Sequence, residues 1–171
     1  MVTIGLIKPK SPSNVGAIMR AVGCFAADTV FYTGERYDRA MRFNTDTKQR
    51  SLSIPLSGVT CLLDNVPENA RIICVELVED AIPLHEYQHP ENGFYIFGPE
   101  DGTIGQNIID HADDVVYIPT KGCLNLAATV NIVLYDRMIK SDQLIANNEL
   151  ISQSKDVNNR IKIKNNNILQ D

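Results

Sequence analysis

The sequence predicts an α/β fold in which a mostly parallel β-sheet is flanked by helices on both faces. Short apolar runs rich in β-branched residues alternate with stretches whose apolar residues recur at helical spacing. Such alternation is typical of parallel sheets that are covered on both faces. No segment rich in Pro or Gly interrupts it before residue 140, and the length of 171 residues suits one compact domain.

Six apolar runs are predicted to be strands, at residues 2–7, 29–32, 59–63, 71–78, 93–97 and 115–118. Three stretches between them are predicted to be helices, at residues 15–27, 104–112 and 124–139. Residues 1–140 therefore form the predicted domain. Residues 141–171 are polar and end in KIKNNNILQD, so we expect this segment to dock and then to fray.

The first predicted helix carries a single arginine on a face without large apolar side chains. Gly16, Arg20 and Gly23 share this face because they lie at i, i+4 and i+7. Two glycines destabilise a helix by about 1 kcal/mol each relative to alanine, a cost that is tolerated where something must approach closely. We expect Ser13 or Asn14 to cap this helix. A surface arginine beside two tolerated glycines is the alternative interpretation.

A glycine-rich turn, FGPEDGTIG at residues 97–105, connects a predicted strand to a predicted helix. It lacks both the Gly-Lys-Ser/Thr of a P-loop and the G-x-G-x-x-G of a dinucleotide site. Glu100 follows the carboxyl end of the strand, which is where open α/β sheets bind ligands. The turn is therefore a candidate ligand site, with a plain connecting turn as the alternative.

The last predicted helix is apolar on nearly every side. One side carries Leu126, Val130 and Val133, and another carries Ala128, Ile132, Tyr135 and Ile139. Such a helix needs burial on two sides, so we expect one side in the core and the other against a subunit partner. Asn125 lies in the predicted first turn, where we expect it to be buried with a definite hydrogen-bonding role.

Several other classes of protein are disfavoured. No run of about 18 apolar residues exists, so nothing should span a membrane. The start, MVTIGLIKPKSP, does not read as a secretory signal, and four scattered cysteines suit reduced thiols in a cytoplasmic protein. Residues 85–89, HEYQH, match a zinc-protease pattern. Pro90 disfavours a helix at His89, so we expect an exposed turn and no metal site.

The charge of the chain is uneven. The net charge is −5, but residues 1–50 hold eight Lys/Arg against four Asp/Glu, whereas residues 51–140 hold four against thirteen. A local basic patch binds phosphates even on an acidic protein. An unevenly charged solvated surface is the simpler interpretation of this pattern.

Three segments, taken in order, resemble motifs of the SpoU/TrmH branch of the SPOUT methyltransferases. Residues 14–21, NVGAIMRA, resemble the first motif, N-x-G-x-x-x-R-A. Residues 97–100, FGPE, with Gly102 or Gly105 resemble the second, F-G-x-E-x-x-G. Ile118-Pro119, followed by the LNL of residues 124–126, is similar to the third, I-P-…-S-L-N-[VL]-S. The resemblance covers residues 1–140.

This resemblance implies a C-terminal trefoil knot, which is rare among proteins, and a homodimer with the active site near its interface. It also implies that S-adenosylmethionine binds among the knot loops, held largely by backbone groups. By position, the residues that would bind this cofactor are Val75, Leu77, Gly98, Ile118, Cys123 and Leu126.

The reaction that the resemblance implies is methyl transfer to a ribose 2′-hydroxyl of RNA. The chain is similar to minimal single-domain members, several of which act on tRNA, so tRNA is favoured over rRNA. Arg20 would act on the hydroxyl as a general base or, because arginine normally stays protonated, as an electrostatic clamp. Asn14 would cap the helix and hold substrate or Arg20. Glu100 and Asn125 would position the motif loops and the substrate.

Two positions depart from the family pattern. Cys123 and Ala127 stand where the family commonly has serines, and a thiol is a poorer hydrogen-bonding group than a hydroxyl. Two alternatives remain beside the ribose methyltransferase, the first supported by these two positions and by the net charge of −5, the second by the base methylation of other SPOUT branches. One is a non-catalytic knotted protein that binds RNA or cofactor and regulates, and the other is an RNA base methyltransferase.

Overall fold

The computed structural model describes residues 1–41, 54–141 and 147–154. The chain divides into two units, Met1–Ser141 and Asp142–Asp171. Of the second unit, the structure describes one short helix, α5 (Asn148–Ser154). The predicted docking and fraying of residues 141–171 lies mostly outside the described residues.

Seven strands form one sheet in the first unit. They are β1 (Val2–Leu6), β2 (Thr29–Thr33), β3 (Leu56–Val59), β4 (Arg71–Val75), β5 (Ile82–Pro83), β6 (Gly93–Phe97) and β7 (Asp114–Tyr117). Their order is β3-β2-β1-β6-β4-β7-β5, and every neighbouring pair is parallel. This confirms the predicted fold class. Strand order and register do not describe how the chain is threaded, so the trefoil knot stays a prediction.

The helices of this unit are α1 (Pro12–Cys24), α2 (Arg36–Met41), α3 (Gln106–Ile109) and α4 (Leu126–Ile139). Side chains of β6 alternate between two apolar clusters, with Tyr95 and Phe97 in one and Phe94 and Ile96 in the other. Because successive side chains of a strand point to opposite faces, the two clusters lie on the two faces of the sheet. The first cluster includes the buried sides of α1 and α4, which pack against each other.

Helix α1 begins three residues earlier than predicted. Ser11 is its N-cap, with the Ser11 hydroxyl accepting the Asn14 N–H at 3.4 Å, and Pro12 takes the first helical position. The prediction that Ser13 or Asn14 caps this helix is therefore wrong. Proline is favoured at the first helical position because its fixed φ suits a helix and its missing N–H would be unpaired there.

The strand predicted at residues 59–63 is also misplaced. The observed strand ends at Val59, and Leu63–Asn65 form a 3-10 turn. The apolar run exists because Leu62, only 1% exposed, inserts into the second apolar cluster. Burial by a turn thus produced the same sequence signal as burial by a strand.

Candidate functional site

The three motif segments meet at one edge of the sheet, beyond the carboxyl ends of β1, β6, β4 and β7, which are neighbours in that order. A cavity of about 290 Å³ lies there. Nine of the ten predicted site residues line it, namely Asn14, Val75, Leu77, Gly98, Glu100, Ile118, Cys123, Asn125 and Leu126. Parallel strands explain the convergence, because their carboxyl ends share one edge.

Glu100 links the glycine-rich turn to the start of α1. Its carboxylate accepts the backbone N–H groups of Lys10 (2.9 Å) and Ser11 (3.1 Å) and the side-chain amide of Asn14 (3.2 Å). Burial opposes ionisation of Glu100, but these hydrogen bonds outweigh it, and the pKa of the carboxyl lies below its ordinary value. Glu100 and Asn14 therefore hold the first and second motif segments together.

The neighbouring residue, Asp101, ties the same turn to α2. Arg36 donates two hydrogen bonds to the Asp101 carboxylate, at 2.8 and 2.7 Å, in the paired geometry that suits a guanidinium. These hydrogen bonds lower the pKa of Asp101. Sequence reasoning missed Arg36 because α2, with the sequence RYDRAM, carries no helical apolar stripe.

Glu76 is a second carboxylate on the cavity wall, and although it lies between the predicted site residues Val75 and Leu77, sequence reasoning gave its side chain no role. Its two oxygens accept the backbone N–H groups of Ile104 (2.8 Å) and Leu77 (2.9 Å). A Cβ added to Gly98 would lie 3.1 Å from a Glu76 oxygen, so glycine keeps this part of the wall open. The sequence placed Glu76 inside the strand predicted at residues 71–78, whereas the observed strand β4 ends at Val75, so Glu76 follows the strand only in the structure.

Asn125 caps α4 from an exposed position. Its side-chain oxygen accepts the Ala128 N–H at 2.7 Å, and its backbone oxygen accepts the Thr129 N–H at 3.0 Å. The expectation that Asn125 is buried is therefore wrong, since it precedes the helix and faces the cavity. Its expected hydrogen-bonding role exists and is that of an N-cap.

Arg20 is the predicted site residue that the cavity wall does not include. It is exposed on α1 and makes no hydrogen bond or ion pair with any residue of the described ranges. A Cβ built on Gly16 would meet nothing within 4 Å. No described residue therefore covers the part of this face around Gly16.

The HEYQH segment does not bring its histidines together. His85 is exposed and lies beside Glu86. The His89 side chain is 4% exposed and forms hydrogen bonds with Tyr95 (2.8 Å) and Asp136 (2.9 Å). The expected exposed turn is therefore wrong at His89, because partners for both ring nitrogens allow its burial. Over the described ranges, no three potential metal ligands cluster, and no helix is long and apolar enough to cross a membrane.

The charge on the cavity wall limits what the cavity binds. The wall includes Glu76 and Glu100, and none of the described residues that line it is Lys or Arg. Phosphate groups are bound by cations or by helix N-termini and glycine loops rich in free N–H groups. The wall therefore suits a cationic or neutral ligand better than a phosphorylated one.

Comparisons with known proteins agree with this arrangement. Residues 1–135 match the model of a family described as the SpoU rRNA Methylase family. A structure that concerns the 2-OH methylation of C/U34 on tRNA is 20% identical with a TM-score of 0.66, over 82% of this chain and 90% of that one. No curated protein matches the chain.

Two further solved structures share the fold. The TrmH/SpoU tRNA modifying enzyme of A. aeolicus is 17% identical with a TM-score of 0.63, over 81% of this chain and 74% of that one. An AdoMet-bound rRNA methyltransferase from Sinorhizobium meliloti is 16% identical with a TM-score of 0.63, over 81% of this chain. The chain spans 56% of the length of that second enzyme.

Proposed function

Since the chain belongs to the SpoU rRNA methylase family, we propose that it transfers a methyl group from S-adenosylmethionine to a ribose 2′-hydroxyl of RNA. The observation that carries this proposal is the convergence of all three motif segments on one cavity, where Glu100 joins the first segment to the second. The similarity to proteins that concern tRNA favours tRNA as the substrate over rRNA. This chain covers 90% of the length of one of them.

The cavity fits the proposed cofactor. A sulfonium cation suits a wall that contains two carboxylates and, among the described residues, no Lys or Arg. The open wall at Gly98 lets a ligand approach the backbone closely. Val75, Gly98, Ile118, Cys123 and Leu126 would hold the cofactor mainly through backbone groups, with the Leu77 side chain beside it. When bound, S-adenosylmethionine supplies an electrophilic methyl group.

Arg20 is proposed to act on the ribose hydroxyl. A hydroxyl is a poor nucleophile that must lose its proton as the new bond forms. The Arg20 guanidinium is exposed and has no partner within the described ranges, so its donors are free for an RNA phosphate or for the developing negative charge. Because arginine stays protonated, we favour this electrostatic role over that of a general base, with the hydroxyl proton passing to an RNA phosphate or to water.

We further propose that the enzyme is a homodimer. Ile132, Tyr135 and Ile139 lie on one side of α4 and are 37%, 52% and 45% exposed. The Tyr135 ring contacts the ring of Phe25, which directly follows α1. A second copy that covers this apolar side would lie beside the helix that carries Arg20, which places the active site near the interface.

The test is methylation of tRNA that lacks its natural modifications, with the wild-type protein and with Arg20→Ala. We expect Arg20→Ala to lower the rate by about 100- to 1,000-fold, the cost of losing one donor to a developing negative charge, while cofactor binding stays unchanged. Arg39→Ala, which removes another exposed cation, is the control and should change the rate little.

The product distinguishes the competing activities. A 2′-O-methyl group protects the adjoining linkage from alkaline cleavage because the 2′-hydroxyl can no longer attack the phosphate. A methylated product whose linkages all remain alkali-labile would support base methylation instead. Absence of methylation of both tRNA and rRNA by the wild-type protein, with the cofactor bound, would support a non-catalytic regulator.

A further inference from the structure

The negative charge on the cavity wall is compensated unequally at its two carboxylates. Glu100 accepts three hydrogen bonds, two of them from backbone N–H groups at the start of α1, where the helix dipole is positive. Glu76 accepts two backbone N–H groups and forms no ion pair within the described part of the chain. Glu76 therefore carries the less compensated charge that faces the cavity.

The proposed cofactor and its product differ in charge at one atom. Methyl transfer breaks the bond between the methyl carbon and a positively charged sulfur, and the electron pair of that bond stays on the sulfur. S-adenosylhomocysteine therefore has a neutral thioether where S-adenosylmethionine has a sulfonium. The adenosine, amino and carboxyl groups are the same in both. A carboxylate in a partly buried wall interacts appreciably with a unit charge several ångströms away and much less with a neutral thioether.

We propose that the Glu76 carboxylate makes the cavity select the cationic methyl donor over the neutral product. The loss of the sulfonium charge on methyl transfer then weakens binding and favours release of the product. Glu76 is on this account a residue that determines specificity through its charge, and it exchanges no proton. The inference rests on the proposed function, because it takes the adenosyl cofactor as the ligand.

The experiment is isothermal titration calorimetry of the RNA-free protein with S-adenosylmethionine and with S-adenosylhomocysteine. The wild-type protein should bind the donor more tightly than the product. Glu76→Gln should weaken donor binding by about 5- to 20-fold, as expected for the loss of one partly screened charge, and change product binding by less than about 2-fold. The glutamine oxygen can still accept the Ile104 N–H, so the contact to that loop is retained, whereas the amide nitrogen of glutamine cannot accept the Leu77 N–H.

Two further variants separate charge from structure. Glu79→Gln removes the same charge from an exposed side chain outside the cavity wall. It should leave the ratio of the affinities for donor and product unchanged. Glu76→Asp keeps the charge while shortening the side chain, so it should keep a preference for the donor even where both ligands bind more weakly. This variant also tests the proposal if Glu76→Gln fails to fold.

Equal weakening of both ligands by Glu76→Gln would overturn the proposal and leave Glu76 as an anchor for the Ile104 loop. Unchanged binding of both ligands would overturn it too. In either case the wild-type protein still binds the donor, so the proposed methyltransferase function is not contradicted. Failure of the wild-type protein to bind either ligand would contradict the proposed function and this inference together.

Discussion

At the scale of single residues, His89 connects the C-terminal end of α4 to the segment before β6. The Asp136 carboxylate only accepts, so a neutral His89 ring donates its Nε2–H to Asp136 and accepts the Tyr95 hydroxyl at Nδ1, and the same hydroxyl accepts from Arg137. Asp136 also pairs with Lys140 at 2.7 Å. Each of these polar groups has a hydrogen-bonding partner only while the His89 ring is neutral. A protonated ring would offer no acceptor for the tyrosine proton.

This arrangement predicts a loss of stability in mild acid. Burial lowers the pKa of His89 below its ordinary 6.5, although the hydrogen bond to Asp136 opposes the shift. Between the folded and unfolded pKa values the unfolded chain binds more protons, so the stabilisation is complete above pH 6.5 and is lost as the pH falls below it. Urea denaturation at pH 7.5 and pH 5.5 should give a smaller free energy of unfolding at pH 5.5.

The matched variants for this prediction are His89→Gln and His111→Gln. His89→Gln should be less stable at pH 7.5 and should show a smaller change between the two pH values. His111 is an exposed histidine that precedes β7 in the chain. Its replacement should keep the wild-type pH response. An identical pH response in all three proteins would contradict a neutral, buried His89.

At the scale of elements, α4 is fixed at both ends, by the His89 contacts at one end and by the Asn125 cap at the other. Asn125→Ala should lower the free energy of unfolding by about 1 kcal/mol through loss of the cap. Asn125→Ser should restore most of that stability, because serine is a comparable N-cap. Chemical denaturation measures both effects.

The same two variants separate capping from a role in the reaction. If Asn125 also positions the substrate, Asn125→Ser should remain at least about 10-fold slower in methyl transfer although its stability is restored, which corresponds to about 1.4 kcal/mol in the barrier. Full recovery of the rate with serine would show that Asn125 only caps α4.

Elements with a clear apolar pattern could be predicted from the sequence, and those held by tertiary contacts could not. Strand β6 was predicted at its observed bounds because all five of its residues are buried. Helix α4 was predicted within two residues of its observed start. The two-residue strand β5 and the polar helix α2 leave no periodic signal. A salt bridge from Arg36 to Asp101, 65 residues away, helps to hold α2 in place.

For the candidate site, too, some residues could be predicted from the sequence and others depended on tertiary contacts. Ten residues were predicted to form one site, eight of them within the three motifs, and nine of the ten line the cavity. Glu76 was not singled out, although its neighbours Val75 and Leu77 were, because its significance depends on Gly98 and Ile104, which only the fold brings near. The exposure of Asn125 could not be read from an apolar helix pattern, since the pattern does not say where the helix begins.

At the scale of the whole molecule, the apolar side of α4 predicts self-association. Tyr135→Glu or Ile139→Glu would place a charge in the proposed interface and should convert a dimer to a monomer in sedimentation velocity. Because the active site is proposed to lie near the interface, methyl transfer should fall in parallel. Cofactor binding serves as the check that the fold is intact.

Ile82→Glu is the control for association, since Ile82 is similarly exposed, at 37%, but lies on the edge strand β5. It should sediment as the wild-type protein does. A wild-type protein that sediments as a monomer at the concentrations of the activity assay, yet methylates RNA, would contradict the proposed dimer.

The cavity has a consequence for the order of events during synthesis. Its wall extends along the chain from Asn14 to Thr129, and α4, which completes it, also packs against α1. A ribosome releases α1 long before α4, so a nascent chain that has already formed the central strands still lacks Leu126 and Thr129 of the wall and the helix that packs against α1. Prematurely terminated chains that end before α4 would therefore have an incomplete cavity, and we expect them to bind the cofactor more weakly than the finished protein does.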